Sequence, residues 1–415
     1  GEWITLNPSA DNPNTYFYTV TENGLYTVRV TSGTGVVGDE KSITYDKIDS
    51  TEPVVTIDSG IGVKEGGMEM GNLCAGILEK LGFSIRRVSY EKCGDTIIGE
   101  RGDLSKPYTI LMGHMDTVFF KGEPEKRPFT IKDGKAYGPG VLDMKGGVCI
   151  LLSTLEALHA AGFDDFPCKV ILVADEEPAH VFSNAPEVIE KESKGAKCAF
   201  NFETGFPDHA LVVQRKGCWR FFIETFGRGC HVGNDPQNGR SAILEMAHKI
   251  IEIENLTDYS KQYNVNVGTI EGGTVANAAP AHCKVECDFR YVHPEDLPIL
   301  RKKVEEVCAK QYVPDVTTKL YDSVGFAVMP QLPGNLELLK IAQKVAEESG
   351  FPVPGPKLCG GGSDAAYTEA AGVPTLCGTG VEGSRNHTVE EWADVDSLFR
   401  RAKQMAGILL KLNEK

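Results

Sequence analysis

The chain has 415 residues, 41% hydrophobic and 24% charged, enough apolar material for a large interior and more length than one compact core uses. With 43 Lys and Arg against 58 Asp and Glu, its net charge of −15 offers no basic field for phosphate backbones, which argues against a nucleic-acid partner. No apolar run reaches about eighteen residues, so no membrane span is expected; the opening Gly1-Glu2-Trp3-Ile4 has neither the basic nor the apolar stretch of a secretory leader.

Residues 1–50 read as a short all-β segment. Tyr16–Val20 and Leu25–Val30 alternate apolar and polar residues across an Asn-Gly turn, and a third strand-like run follows at Lys41–Tyr45. This stretch resembles part of a bacterial immunoglobulin-like repeat. From about Thr56 the pattern becomes alternating α and β. Leu73, Ile77 and Leu81 are spaced for one helical face, with Gly82 at the C-cap, and strands are expected at Ser84–Tyr90, Tyr108–Met112 and Cys168–Ala174. A buried helix is expected over Gly146–Ala160. Together these predict an α/β domain with a mostly parallel sheet covered by helices on both faces.

The rhythm changes near Val213. Strand, helix, strand, strand, helix, strand follow at Cys218–Thr225, Ser241–Ile253, Tyr263–Ile270, His282–Tyr291, Glu295–Ala309 and Val316–Tyr321, the order of a ferredoxin-like α+β fold. A helix at Asn335–Ser349 resumes the host domain. The expected division is 1–50, catalytic residues 51–214, an inserted lid and dimerisation domain at 215–324, and the second catalytic part at 325–415.

Potential metal ligands gather at the ends of the strands. His114 and Asp116 follow one apolar run, Glu176 and Glu177 another and Glu203 a third, while Asp143 sits in a Gly-rich turn before a helix. Open α/β sheets place their sites beyond the carboxyl ends of strands. Taken singly, each has an ordinary reading as a loop histidine, an N-cap, an Asx turn or a solvated acid; their joint placement points to a metal centre. The twelve cysteines contain no Cys-x-x-Cys pair and mostly lie in apolar runs, as reduced core thiols do, which favours the cytoplasm. The immunoglobulin-like strands favour an extracellular setting instead.

The motifs G-H-M-D-T-V, Y-G-P-G-V-L-D-M-K-G-G, D-E-E, F-E-T-G, G-G-G-S-D-A-A and R-N-H-T resemble those of the dinuclear zinc peptidases, the family of bacterial glutamate carboxypeptidase, aminoacylase-1, acetylornithine deacetylase and succinyl-diaminopimelate desuccinylase. The resemblance covers residues 56–415 and is greatest to glutamate carboxypeptidase. It implies two Zn²⁺, with Co²⁺ or Mn²⁺ as substitutes, bridged by Asp143; His114 and Glu203 would complete one ion's ligands, Glu177 and His387 the other's. It makes Glu176 the general base, Asp116 the partner of the His114 ring and His231 an oxyanion donor from the second subunit of a homodimer. It also implies a cis Asp143–Met144 peptide. Asn277, Arg290 and the loop Gly360, Gly361 and Gly362 would hold a substrate carboxylate; an edge-strand ion pair is the other reading of Arg290.

The activity so implied is hydrolysis of an amide beside a free carboxylate, in a small peptide or an N-acyl amino acid, by a carboxypeptidase or a deacylase. Glu at 203 agrees with that more than with an aminopeptidase. A dipeptidase and an inactive surface-binding protein are the alternatives. Residues 322–327 lack the basic side chains of glutamate-cleaving relatives, and His180 stands where the pattern has a glycine-containing run.

Overall fold

A computed structural model describes residues 24–28, 41–45 and 56–413. It divides the chain into two compact units, Gly1–Thr56 and Ile57–Lys415. In the first, Gly24–Val28 pairs antiparallel with Lys41–Tyr45. The expected strand at 16–20 lies outside the described residues.

In the second unit the chain lays down β1 (Ser84–Val88), β2 (Thr96–Arg101), β3 (Tyr108–His114), β4 (Cys168–Val173), β5 (Ala196–Asn201) and β6 (Leu211–Arg215). It then forms a second sheet from β7 (Gly217–Phe226), β8 (Asn264–Gly272), β9 (His282–Tyr291) and β10 (Thr317–Phe326), and returns through β11 (Pro356–Cys359) and β12 (Thr375–Cys377). The large sheet has the order β11-β6-β12-β5-β3-β4-β2-β1. Its centre, β12-β5-β3-β4, is parallel, while β2 and β1 are antiparallel additions. This is the expected mostly parallel α/β sheet.

Every residue of β3 and β4 is buried, because both faces of the sheet are covered. Leu111, Val170 and Leu172 meet Val148, Leu151 and Leu155 of the helix Lys145–Ala160 and Ile408 and Leu409 of Val395–Leu412. Ile110, Met112, Ile171 and Val173 face Ala185, Ile189 and Val373 on the other side.

The second sheet is antiparallel throughout, in the order β8-β9-β7-β10. With helices Ala242–Glu254 and Asp296–Ala309 it has the expected ferredoxin-like order. Burial alternates along β7 and β9, so one face carries a separate core of Trp219, Phe221, Ile223, Val285, Cys287 and Phe289 against Met246, Leu300 and Val304.

Two expectations need correcting. The helix Lys64–Lys80 does not bury Leu73, which is 44% exposed; its inner face is Met70, Cys74, Ala75 and Leu78. That face packs closely because it is rich in small residues: a Cβ on Gly67 would stand 3.1 Å from the Gly94 backbone. The last strand of the second sheet also runs beyond Tyr321 to Phe326, with a register shift opposite Trp219 and Phe221. Among the described residues no helix is long and apolar enough to cross a membrane.

Candidate metal centre

Because β3, β4 and β5 are parallel and in register, with His114 opposite Val173 and Met112 opposite Asn201, their carboxyl ends open on one edge. His114 ends β3, Glu176 and Glu177 follow β4, and Glu203 follows β5. Asp143 arrives from the turn before the helix Lys145–Ala160. That helix is drawn against the β5 end, since a Cβ on Gly147 would lie 1.8 Å from the Phe202 carbonyl oxygen. The Asp143–Met144 peptide is cis.

These residues converge. Asp143 turns Oδ1 toward His114 Nε2 and Oδ2 toward His387 Nε2, each at 3.2 Å. Glu203 Oε1 lies 3.8 Å from His114 Nε2, and Glu177 Oε2 lies 3.3 Å from His387 Nε2. Ligand atoms of His114, Asp143 and Glu177 lie within 4.8 Å of one another, as do those of His114, Glu176 and Glu203. His387 is 52% exposed on its side chain; the carboxylates are largely buried.

Burial weighs on the carboxylates of this cluster. Burial, reinforced by the neighbouring carboxylates, pushes Glu176 well above the usual carboxylate range and Glu177 up to about 7. Burial also lifts Glu203, with Asp143 beside it. Asp143 resists its own burial, because hydrogen bonds from His114 and His387 hold it well below the ordinary value. The same contacts, to Asp143 and Glu177, raise His387 to about 10. Glu177 Oε1 is buried without a hydrogen-bond partner. An orphaned carboxylate oxygen among packed acids and two imidazoles fits a divalent ion.

Surrounding groups hold the centre in place. His114 Nδ1 lies 3.1 Å from the Asp116 carbonyl and 3.4 Å from its carboxylate. The Asp116 carboxylate itself accepts the backbone N–H groups of Glu176 (3.2 Å) and Glu177 (3.0 Å), so it ties the β3 end to the β4 end as well as facing the imidazole. Three contributors escaped the sequence reading. Glu391, 1% exposed, accepts the N–H groups of Gly140, Leu142 and Asp143 at 2.9–3.0 Å. Asn386 donates to Asp143 Oδ2 (3.0 Å), and buried Arg215 lies 3.7 Å from Glu203 Oε2. The R-N-H-T motif held the signal for Asn386; nothing local marked Glu391 or Arg215.

The remaining expected residues form two other groups. Arg290, in the interior strand β9, is ion-paired to Asp288 (2.6 Å), and its Nη1 donates to the Gly360 carbonyl (3.3 Å). Arg215 donates to the carbonyls of Gly361 (3.4 Å) and Gly362 (2.9 Å). The glycine loop therefore meets both arginines through its carbonyl groups. His231 and Asn277 lie together, joined by a bridge between His231 and Ala278 and by the Val232 N–H to the Asn277 carbonyl. Among the described residues neither makes a hydrogen bond or ion pair with the acidic cluster. His180 is buried and hydrogen-bonded to Asp364 (2.7 Å).

Residues 110–411 match the peptidase family M20/M25/M40. Carboxypeptidase G2 of Pseudomonas sp. is 30% identical over 88% of this chain and 89% of its own length. Acetylornithine deacetylase of Proteus mirabilis is 30% identical over 53% of this chain and 59% of that protein. The aminopeptidase PepT of Bacillus cereus shares the fold, with a TM-score of 0.68 at 20% identity over 84% of this chain and 98% of that one. With this fold and acid-imidazole cluster, the protein is a metal-dependent amide hydrolase. The chain belongs to peptidase family M20/M25/M40.

Proposed function

We propose that the protein hydrolyses an amide bond beside a free carboxylate, in an N-acyl amino acid or a short peptide, using two zinc ions that cobalt or manganese can replace. One observation carries this: each oxygen of Asp143 faces a different imidazole, and each imidazole has its own glutamate. His114, Asp143 and Glu203 would hold one ion, and Asp143, Glu177 and His387 the other. Imidazole and carboxylate donors suit zinc. The ions, when bound, supply Lewis-acid polarisation of the scissile carbonyl and acidify a water.

Glu176 takes the proton of the attacking water and passes it to the leaving nitrogen. Its position beside His114 and Glu203 supports that role. Asp116 orients His114 and the Glu176 loop. Arg290, with Gly360, Gly361 and Gly362, receives the substrate carboxylate, and Asn277 and His231, which lie together, reach the site from the partner of a homodimer, Asn277 to that carboxylate and His231 to the oxyanion.

Residues 215–324 act as the inserted lid and dimerisation domain between catalytic parts 51–214 and 325–415. Their separate core supports this, as do the edge position of β8 and exposed Leu244, Ile251 and Ile270. Twelve unpaired cysteines support a reducing, cytoplasmic setting. The names of carboxypeptidase G2 and acetylornithine deacetylase support the two substrate types. The test is a panel of N-acyl amino acids, their carboxyl-blocked amides and dipeptides, assayed before and after chelation. Turnover should need added metal and a free carboxylate; equal cleavage of the blocked amides would contradict the reading.

A further inference from the structure

His180, Phe326 and Tyr367 come from three distant parts of the chain and meet beside the metal centre. Their rings pack edge to face or tilted, with centroids 5.8 Å apart for His180–Phe326, 5.8 Å for His180–Tyr367 and 6.5 Å for Phe326–Tyr367. His180 follows Glu176 and Glu177 in the loop after β4, and its Nε2 donates to Asp364 Oδ1 at 2.7 Å, fixing the ring. Phe326 ends β10 and covers Gly362 so closely that a Cβ there would lie 2.5 Å from the Phe326 side chain. Phe326 and Tyr367 are both partly open.

The loop Gly360–Gly362 thus has cations on its carbonyls and an aromatic ring against Gly362. Arg290 and Arg215 hold the carbonyls. The charges that bear most on His180 are those of Asp364, Asp116 and Asp175, and on Tyr367 those of Asp364, Glu176 and Glu187. All are acidic. An apolar substrate side chain placed against these rings would bury surface, whereas an acidic one would approach the carboxylates of Asp364, Asp116, Asp175, Glu176 and Glu187.

We propose that His180, Phe326 and Tyr367 form the side-chain subsite and that it selects substrates whose carboxylate-bearing residue is aromatic or aliphatic rather than acidic. This rests on the proposed amide hydrolysis and adds its substrate class. The test measures calorimetric binding of N-acetyl-L-phenylalanine and N-acetyl-L-glutamate to zinc-loaded Glu176→Gln protein, and kcat/KM for both with the wild type. Phenylalanine should be preferred at least about ten-fold in both measurements, a gap within reach of one pocket. In Phe326→Ala the preference should narrow by about five-fold or more; the wild-type ratios decide alone if that variant fails to fold. Equal or tighter binding of the glutamate compound, or no binding of either, would overturn the subsite. Selective binding of the phenylalanine compound without any turnover would support the subsite and refute the hydrolase reading.

Discussion

Glu391 supports the turn that carries Asp143. It is 1% exposed and receives three backbone N–H groups from the turn that ends in Asp143, two on Oε1 and one on Oε2. A hydrogen bond to a charged group contributes about 1.5–3 kcal/mol, and an orphaned buried donor costs a similar amount. Glu391→Gln keeps one acceptor oxygen and turns an amide NH₂ toward at least one N–H, so it should cost about 2–3 kcal/mol of unfolding free energy. Glu391→Ala leaves three donors unanswered; these losses overlap, and about 4–5 kcal/mol is expected. Because the same turn positions Asp143, zinc affinity should fall by about ten- to a hundred-fold, as when a metal ligand loses its supporting contact. Urea unfolding of the metal-free protein measures the first effect and competition with a chromogenic chelator the second. Zinc affinity in Glu391→Gln within two-fold of the wild type would refute the reasoning.

Two further outcomes are expected. Glu176→Gln should lower kcat by about a hundred-fold or more while metal content stays unchanged, and undiminished turnover would remove Glu176 as the base. Burial, opposed by a hydrogen bond from Asn335, pushes Glu369 up to about 8, whereas in an unfolded chain a Glu titrates near 4.3. Between those values the unfolded chain has lost the proton and the folded chain still holds it. This group's stabilising contribution is therefore complete below about pH 4 and is lost progressively as the pH rises toward 8, by up to about 1.4 kcal/mol per pH unit. Urea unfolding of the wild type and Glu369→Gln should show a gap that shifts in favour of the variant from pH 5 to 8; a pH-independent gap would contradict this origin.

The parts of the fold most legible in the sequence are those whose burial forces one pattern. Strands β3 and β4, covered on both faces, read as mainly apolar runs, and β7 and β9, with one face on the core, read as alternation. The helix Lys64–Lys80 misled because large apolar residues were taken as its inner face. Close packing selected Gly67, Gly71, Cys74 and Ala75 there, leaving Leu73 outside. Strand β2 went unrecognised: T-I-I-G-E-R carries a glycine and two charges in six residues, and its strand character comes from pairing with β4.

At the site, residues projecting from strand ends were readable because their neighbours form motifs. Glu391 and Arg215 act through contacts with turns or side chains far away in sequence, and no local spacing announces them. The His180–Asp364 pair spans 184 residues and becomes visible only in three dimensions.

Metal stoichiometry addresses the bridging of two ions by Asp143 most directly. Chelator-stripped protein titrated with zinc, and analysed by atomic emission after gel filtration, should retain two ions per chain, and Asp143→Ala should retain fewer under the same conditions. Saturation of the wild type at a single ion, or full retention of both by Asp143→Ala, would contradict the account.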